Sequence, residues 1–367
     1  MLDHFAADFL TARGCFRQSA SEHGARLQSY PINTPGPDSE ALSVDTAYFG
    51  HPAPLGVLLV SSGIHGVEGF AGSALQLAFI SEMAAATLAQ VGVLLVHAVN
   101  PYGFAHSRRA NEHNVDLNRN CLPSFPGPAN EGYSAFSDLL NPRSLPLHGD
   151  FFTTRLVLRA LRYGLTATQQ AVAGGQYAVA DGLFYGGDRR QASTDIFQRI
   201  LSEKPLANAQ LVIHIDLHTG LGSYGEYQLL PLQPLEMTTL RQLRTWFGDR
   251  AVVAGTAPVS ASYRASGSVR ELTARVLSSA RVYALTLEFG TFAPLRVLRA
   301  LRRENWLHHY GGDSALAREI KAELQQCFCP RETRWRHAVL NKGIGVLQQA
   351  LHALSAPDSY SSQDRVR

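Results

Sequence analysis

The sequence predicts a three-layer α/β/α fold around a mixed, mostly parallel, twisted sheet. Three observations lead there. Short apolar runs bounded by turn residues recur at 55–60, 92–98, 211–217 and 281–287, with the length and composition of buried strands. Stretches with helical spacing separate them, as in a parallel sheet with helices on both faces. The polar residues of chemical interest cluster at the carboxyl ends of the apolar runs, the edge where open α/β sheets hold their ligands.

In chain order, residues 1–25 read as an amphipathic helix. Residues 26–32 and 41–49 read as strands separated by a Pro/Gly/Asn/Ser turn region. The run 55–60 leads into Ser61-Ser62-Gly63-Ile64-His65-Gly66-Val67-Glu68-Gly69, and an Ala- and Leu-rich helix follows over 71–86. The strand 92–98 ends in Asn100-Pro101-Tyr102-Gly103-Phe104, strong turn chemistry. A polar stretch dense in Arg and Asn follows over 107–120. Residues 121–150 lack periodicity and read as a long surface loop, a length that in compact domains usually marks a lid or binding loop. Helical spacing returns over 151–173 and is broken at 174–177, and 181–188 is a Gly-rich loop. Further helices are expected at 235–248, 268–280, 295–309 and 313–326. The expected organisation is a single domain, 1–354, with an inserted region 121–205 and a polar tail 355–367.

The 367 residues, 45% apolar and 17% charged, are those of a soluble globular protein. A net charge of +3 is too small to argue for nucleic acid or an anionic membrane surface. No basic stripe with interleaved aromatics is present, and no apolar stretch approaches membrane-spanning length. Positive charge is nearly all Arg, with Lys only at 204, 321 and 342. The N-terminal residues have no basic region followed by an apolar core, so a cytoplasmic protein is expected. Cys327 and Cys329 are too close for an unstrained bridge and lack a second pair for a structural zinc. With Cys15 and Cys121 they are expected as free thiols of a reducing compartment. The sequence leaves the oligomeric state open.

An imidazole and a carboxylate three residues apart at a tight turn, His65 and Glu68, can point at one cation. Zinc takes this ligand mix, and a catalytic zinc wants three protein ligands. Taken alone the pair is a weak signal. A third ligand is offered by His218, at the end of Ile213-His214-Ile215-Asp216-Leu217-His218. Alternation puts 214, 216 and 218 on one side of that strand. His214, lying deeper, suits a satisfied core histidine, and Asp216 could serve a second metal. Arg109 and the run Asp116-Leu117-Asn118-Arg119-Asn120 follow a strand end. They read either as a solvated loop or as a carboxylate- and oxyanion-binding patch. Asp116 could orient a ligand imidazole. Glu288, ending the run at 281–287, is an uncomfortable core residue but a suitable proton acceptor near zinc. Tyr263 lies on a Ser/Gly loop.

Together these positions resemble the zinc carboxypeptidase family, over roughly residues 50–310 with gaps. The resemblance implies a single α/β/α domain around a mixed eight-stranded sheet and one Zn²⁺ per chain, held by His65, Glu68 and His218. It implies Arg109 as the group polarising the scissile carbonyl and Glu288 as general base. Asn118 and Arg119 would hold the substrate carboxylate, Asp116 would support a zinc histidine, and Tyr263 would be the mobile tyrosine. The implied partner is a peptide or N-acyl amino acid with a free carboxylate. The turns Gly-Ile-His-Gly-Val-Glu-Gly and Asp-Leu-His-Thr-Gly also resemble the succinylglutamate desuccinylase and aspartoacylase branch, which deacylates amino acids. Region 121–205 matches nothing in the digestive enzymes, so the chain is read as a divergent bacterial branch. The alternatives are an N-acyl amino acid deacylase and a non-catalytic binding module on the same fold.

Overall fold

The computed structural model describes residues 2–83, 88, 91–145, 150–249, 251–252, 265–312 and 315–356. In the first part of the chain, helix α1 (Phe9–Glu22) precedes strands β1 (Arg26–Pro31), β2 (Ser43–Gly50) and β3 (Gly56–Ser62). Helix α2 (Gly69–Glu82), strand β4 (Val91–His97) and the short helices α3 (Pro101–Ala105) and α4 (Ser137–Leu140) follow. Next come helices α5 (Phe152–Tyr163), α6 (Leu165–Ala173) and α7 (Ala192–Ser202), then strands β5 (Leu211–Tyr224) and β6 (Tyr227–Pro231). Helices α8 (Met237–Phe247) and α9 (Val269–Val276), strand β7 (Arg281–Gly290), and helices α10 (Pro294–Tyr310), α11 (Ala315–Phe328) and α12 (Thr333–Ser355) complete the chain.

Local chemistry sets several of these boundaries. Asp8 caps α1 by accepting from the Thr11 N–H at 2.8 Å, and the helix buries Phe9, Ala12, Phe16 and Ala20, one face at helical spacing. Ser268 and Glu271 form a reciprocal capping box at the start of α9. Pro294 opens α10, where its missing N–H costs nothing.

The strands order as β1-β2-β4-β3-β5-β7-β6. β4, β3, β5 and β7 pair in parallel at the centre, and the pairings β1–β2, β2–β4 and β6–β7 are antiparallel. Every residue of β3 and β4 is buried, as parallel strands covered on both faces require. Alternation divides them. Leu58 and Val60 join a core with Phe16, Phe79, Leu243 and Leu347, from α1, α2, α8 and α12. Val57 and Leu59 join another with Phe197, Leu201 and Leu272, from α7 and α9. The sheet is therefore the middle of three layers.

The described residues form seven strands of the sheet, and Val252, next to the undescribed 253–264, makes a further bridge to Leu229 of β6. The structure corrects several other expectations. The helix expected over 151–173 is two, because Gly164 turns the chain with φ +87°, a conformation that favours glycine. The aperiodic stretch 121–150 contains a 3-10 turn at Glu131–Ala135 and α4. β6, α7 and α12 were not anticipated. α12 buries Trp335, Leu340 and Leu347 and runs through Ser355, the first residue of the expected tail 355–367, of which 357–367 lie outside the described residues. The four cysteines form no disulfide. Among the described residues no helix is long and apolar enough to cross a membrane.

Candidate metal centre

Because β3, β5 and β7 run parallel, their carboxyl ends share one edge of the sheet. Register sets Ser61 beside Asp216 and His218 beside Glu288. Beyond β3 the chain turns at His65 into a short 3-10 turn, Gly66–Glu68, and then α2. A Cβ at position 66 would overlap the Gly103 backbone, so this approach needs glycine. The N–H groups of Gly66 and Val67 donate to the carbonyls of Arg109 and Arg108 at 3.2 and 2.8 Å. The His65 turn and the Arg109 loop are thereby fixed to each other.

His65 Nδ1 lies 2.8 Å from Glu68 Oε1, and His218 Nδ1 lies 3.1 Å from Glu68 Oε2. The two imidazole centroids are 4.9 Å apart, with the rings inclined at 77°. One ligand atom from each of the three residues lies within 4.8 Å of the others, and all three side chains are buried. The outward nitrogens meet carboxylates. His65 Nε2 is 3.2 Å from Asp116 Oδ1, and His218 Nε2 bonds Asp216. Metal-binding histidines normally hand their second nitrogen to such a partner. The Thr219 N–H donates to Glu68 Oε2 at 3.1 Å.

Asp216 also accepts from Ser61 Oγ at 2.5 Å, and Ser61 Oγ lies 2.8 Å from His214 Nε2. The other His214 nitrogen is 2.9 Å from Thr273 Oγ1, and burial pushes this imidazole down to about 4, so it is neutral. His214 is a satisfied core histidine. The oxygens of Asp216 are committed to Ser61 and His218, so it orients His218 and is not placed to hold a second metal. Sequence reasoning missed that role. The signal was the spacing Asp-x-His on one strand face.

The electrostatics favour a cation. Burial alone would raise the Glu68 carboxyl, but His65 and His218 outweigh it and hold the group well below the usual carboxylate range. Burial opposes a charged His218, yet Asp216 and Glu68 keep its basicity well above normal. Burial likewise raises Asp116, and Arg109, His65 and Arg119 reverse the sign. The cluster therefore draws positive charge to the point its three donors face, and two imidazoles with a carboxylate suit a divalent ion such as zinc.

Glu288 stands at the end of β7, 6% exposed, with Oε1 accepting from the Leu221 N–H at 2.9 Å. Burial pushes its carboxyl up to about 7, with His218 opposing and Glu68 adding to the rise. Arg109 Nε donates to Asp116 Oδ2 at 3.0 Å. Its Nη2 is 2.7 Å from His65 Nε2, and its guanidinium lies over the Phe184 ring at 5.3 Å. Asn118 Oδ1 accepts from the Val269 N–H at 3.1 Å, tying it to the start of α9. Arg119 donates to the carbonyls of Asn118 and Ala173 at 2.9 and 3.0 Å, and its buried Nε has no partner. Among the described residues no carboxylate pairs with Arg119. Glu288, Arg109, Asn118 and Arg119 line one cavity of about 1120 Å³, together with His65, Glu68 and His218. Tyr263 lies outside the described residues.

The sequence matches the family described as "Protein of unknown function (DUF2817)" over residues 5–342. No curated protein matches it. Carboxypeptidase A from Helicoverpa armigera is a similar solved structure, at 12% identity and TM-score 0.48, covering 98% of this chain and 76% of that one. A chain from Shewanella amazonensis SB2B, provisionally designated a metallopeptidase, has 17% identity and TM-score 0.45, with 82% and 91% covered. A provisionally designated succinylglutamate desuccinylase/aspartoacylase from Shewanella frigidimarina NCIMB 400 has 16% identity and TM-score 0.37, with 78% and 72% covered. Likeness this distant does not carry chemistry from one protein to another, so the site's own residues must supply it.

Proposed function

The chain belongs to the family described as DUF2817, and from that premise we propose that it is a zinc-dependent, carboxypeptidase-like hydrolase of amide bonds. Its substrate is a peptide or N-acyl amino acid with a free carboxylate. The observation that carries this reading is the convergence of His65, Glu68 and His218 donors within 4.8 Å, at the sheet edge where Glu288 also ends its strand.

In this reading His65, Glu68 and His218 hold one zinc per chain, while Asp116 and Asp216 keep the imidazoles turned inward. When bound, zinc acidifies a water towards a pKa of about 7 and polarises a carbonyl. Glu288 takes the proton released as water attacks and delivers it to the leaving amine. A carboxyl near 7 can both accept and return a proton at neutral pH. A dication nearby lowers that value and favours the accepting form. Arg109, braced by Asp116, donates to the developing oxyanion, a contribution typically worth about 3 kcal/mol. Asn118 and Arg119 receive the substrate carboxylate. The unpartnered Nε of Arg119 and its lack of a carboxylate partner among the described residues support that role. The resemblance assigns Tyr263, outside the described residues, to substrate binding.

A deacylase acting on N-acyl amino acids is the second reading, favoured by the turns His-Gly-Val-Glu-Gly and Asp-Leu-His-Thr-Gly. A non-catalytic binding module is disfavoured by the presence of both Glu288 and the full donor set. The experiment is metal analysis followed by a screen of peptides and N-acyl amino acids, with and without a chelator. Chelator-sensitive release of a free amine is expected. Absence of turnover on every member of both panels by the zinc-loaded protein would leave only the binding module.

A further inference from the structure

We propose that the substrate carries an extended hydrocarbon acyl group, and that helices α5 and α6 form the wall that receives it. This rests on the hydrolase reading and goes on to name the substrate class of the same site. The cavity beside the donor cluster holds about 1120 Å³. Pockets for drug-sized ligands span roughly 300–1,000 Å³. An acetyl or succinyl amino acid would leave most of this space to water held against hydrocarbon.

The side of the cavity formed by α5, α6 and α10 is mostly apolar, while Arg270, Glu271 and Thr286 line another part. Leu156, Val157, Ala160 and Val172 contribute from α5 and α6, and Leu298 and Leu301 from α10. The polar groups of the α5–α6 wall are mostly committed elsewhere. Thr168 Oγ1 donates to the Gly164 carbonyl at 2.8 Å, and Thr153 is bonded by Arg299. Gln169 remains. A peptide threaded along this surface would leave buried N–H and C=O groups without partners, a cost an alkyl chain does not meet. An acyl hydrocarbon therefore fits better than an oligopeptide.

The apolar lining also continues out of the cavity. Val157 and Leu165 line it while 52% and 67% exposed, and Leu158 and Leu161 beside them are 60% and 78% exposed. Contiguous exposed apolar surface is uncommon without a use. Here it offers a hydrocarbon chain further apolar surface beside the chamber. The two walls are braced against each other. The Arg302 guanidinium lies 3.9 Å over the Phe152 ring and pairs with Asp150 at 2.9 Å, so the chamber is held open by fixed contacts.

The test uses zinc-loaded full-length protein with N-acetyl-, N-octanoyl- and N-dodecanoyl-alanine beside a dipeptide panel. Each buried methylene multiplies binding roughly fourfold, equivalent to about 0.8 kcal/mol. Burial of only three gives a rise in kcat/KM of about 60-fold from acetyl to dodecanoyl. Ala160→Phe, which fills the chamber from α5, is expected to cut the dodecanoyl-to-acetyl ratio at least about 10-fold. Leu298→Ser serves the same purpose should the first variant fail to fold by circular dichroism. Calorimetry of N-dodecanoyl-alanine on Glu288→Gln protein gives a second readout that needs no turnover, with tighter binding than N-acetyl-alanine expected. Hydrolysis that is flat with chain length or prefers the acetyl substrate would overturn the inference and leave the hydrolase reading standing. So would a ratio that neither substitution moves. Turnover of no substrate in either panel, with no binding difference, would overturn both.

Discussion

Replacing Glu288 by Gln separates the proposed base from the surrounding fold, and the structure gives a magnitude for it. Gln keeps the shape, and its carbonyl oxygen can still accept from the Leu221 N–H. What it removes is an ionisable group whose carboxyl stands at about 7 against an ordinary 4.5, chiefly through burial. Each pH unit separating the folded and unfolded values is worth about 1.36 kcal/mol, so ionised Glu288 costs the metal-free fold roughly 3 kcal/mol. The folded value is the higher one, so the neutral carboxyl's advantage is complete below about 4.5 and is lost as pH rises through about 7. Chelator-treated wild type should therefore lose stability between pH 5 and pH 8 relative to Glu288→Gln. The variant should be more stable at pH 8 by up to about 3 kcal/mol, and the gap should close in acid. Urea unfolding across that range reads it directly. Zinc-loaded Glu288→Gln should meanwhile lose about 10²- to 10⁴-fold in kcat, the usual worth of a positioned base. Parallel pH–stability curves for the two proteins would refute the burial argument, and full activity in the variant would refute the assigned base.

Three other substitutions test separate parts of the account. Asp216→Asn weakens the partner of His218 Nε2 and should loosen metal binding about 10- to 100-fold, read by competition with a chelator. Arg119→Ala should raise KM for substrates with a free carboxylate about 10- to 100-fold. Amidated substrates should be little affected, and an equal effect on both kinds would assign Arg119 to structure alone. Gly66→Ala pushes a methyl into the Gly103 backbone and should cost about 1–3 kcal/mol in urea unfolding, as overpacking does. An unchanged midpoint would refute the close approach of the two backbones.

The layered sheet was legible because buried parallel strands leave short apolar runs, and 55–60, 92–98, 211–217 and 281–287 each match a strand, the first two overrunning it by one residue. The residues His65, Glu68 and His218 were legible for a related reason. Strand ends that share an edge bring distant residues together, and the sequence shows which residues end the runs. What escaped was set by tertiary context. β6 is the last of the described strands and has mixed burial and weak alternation, so nothing in it outweighs its neighbours. α12 has helical spacing, but its lone Trp335 and scattered Gly343 and Gly345 blunt the pattern, and packing on the sheet supplies what propensity does not. The break between α5 and α6 depends on one glycine at positive φ, and a single Gly in a helical stretch is ambiguous from sequence. Asp216 was read as a spare ligand because sequence gives its face but not the Ser61 hydroxyl and His218 nitrogen that occupy its oxygens.

The central claim is that the His65–Glu68 turn and His218 at the end of β5 build one divalent-metal site. Metal analysis of dialysed wild type, His65→Ala and His218→Ala, combined with X-ray absorption at the zinc edge, tests it most directly. One zinc per wild-type chain is expected, with nitrogen and oxygen ligands at about 2.0–2.2 Å, and loss of that ion from both variants while circular dichroism is unchanged. One tightly held ion surviving in both folded variants, or a wild type that binds none, would contradict it.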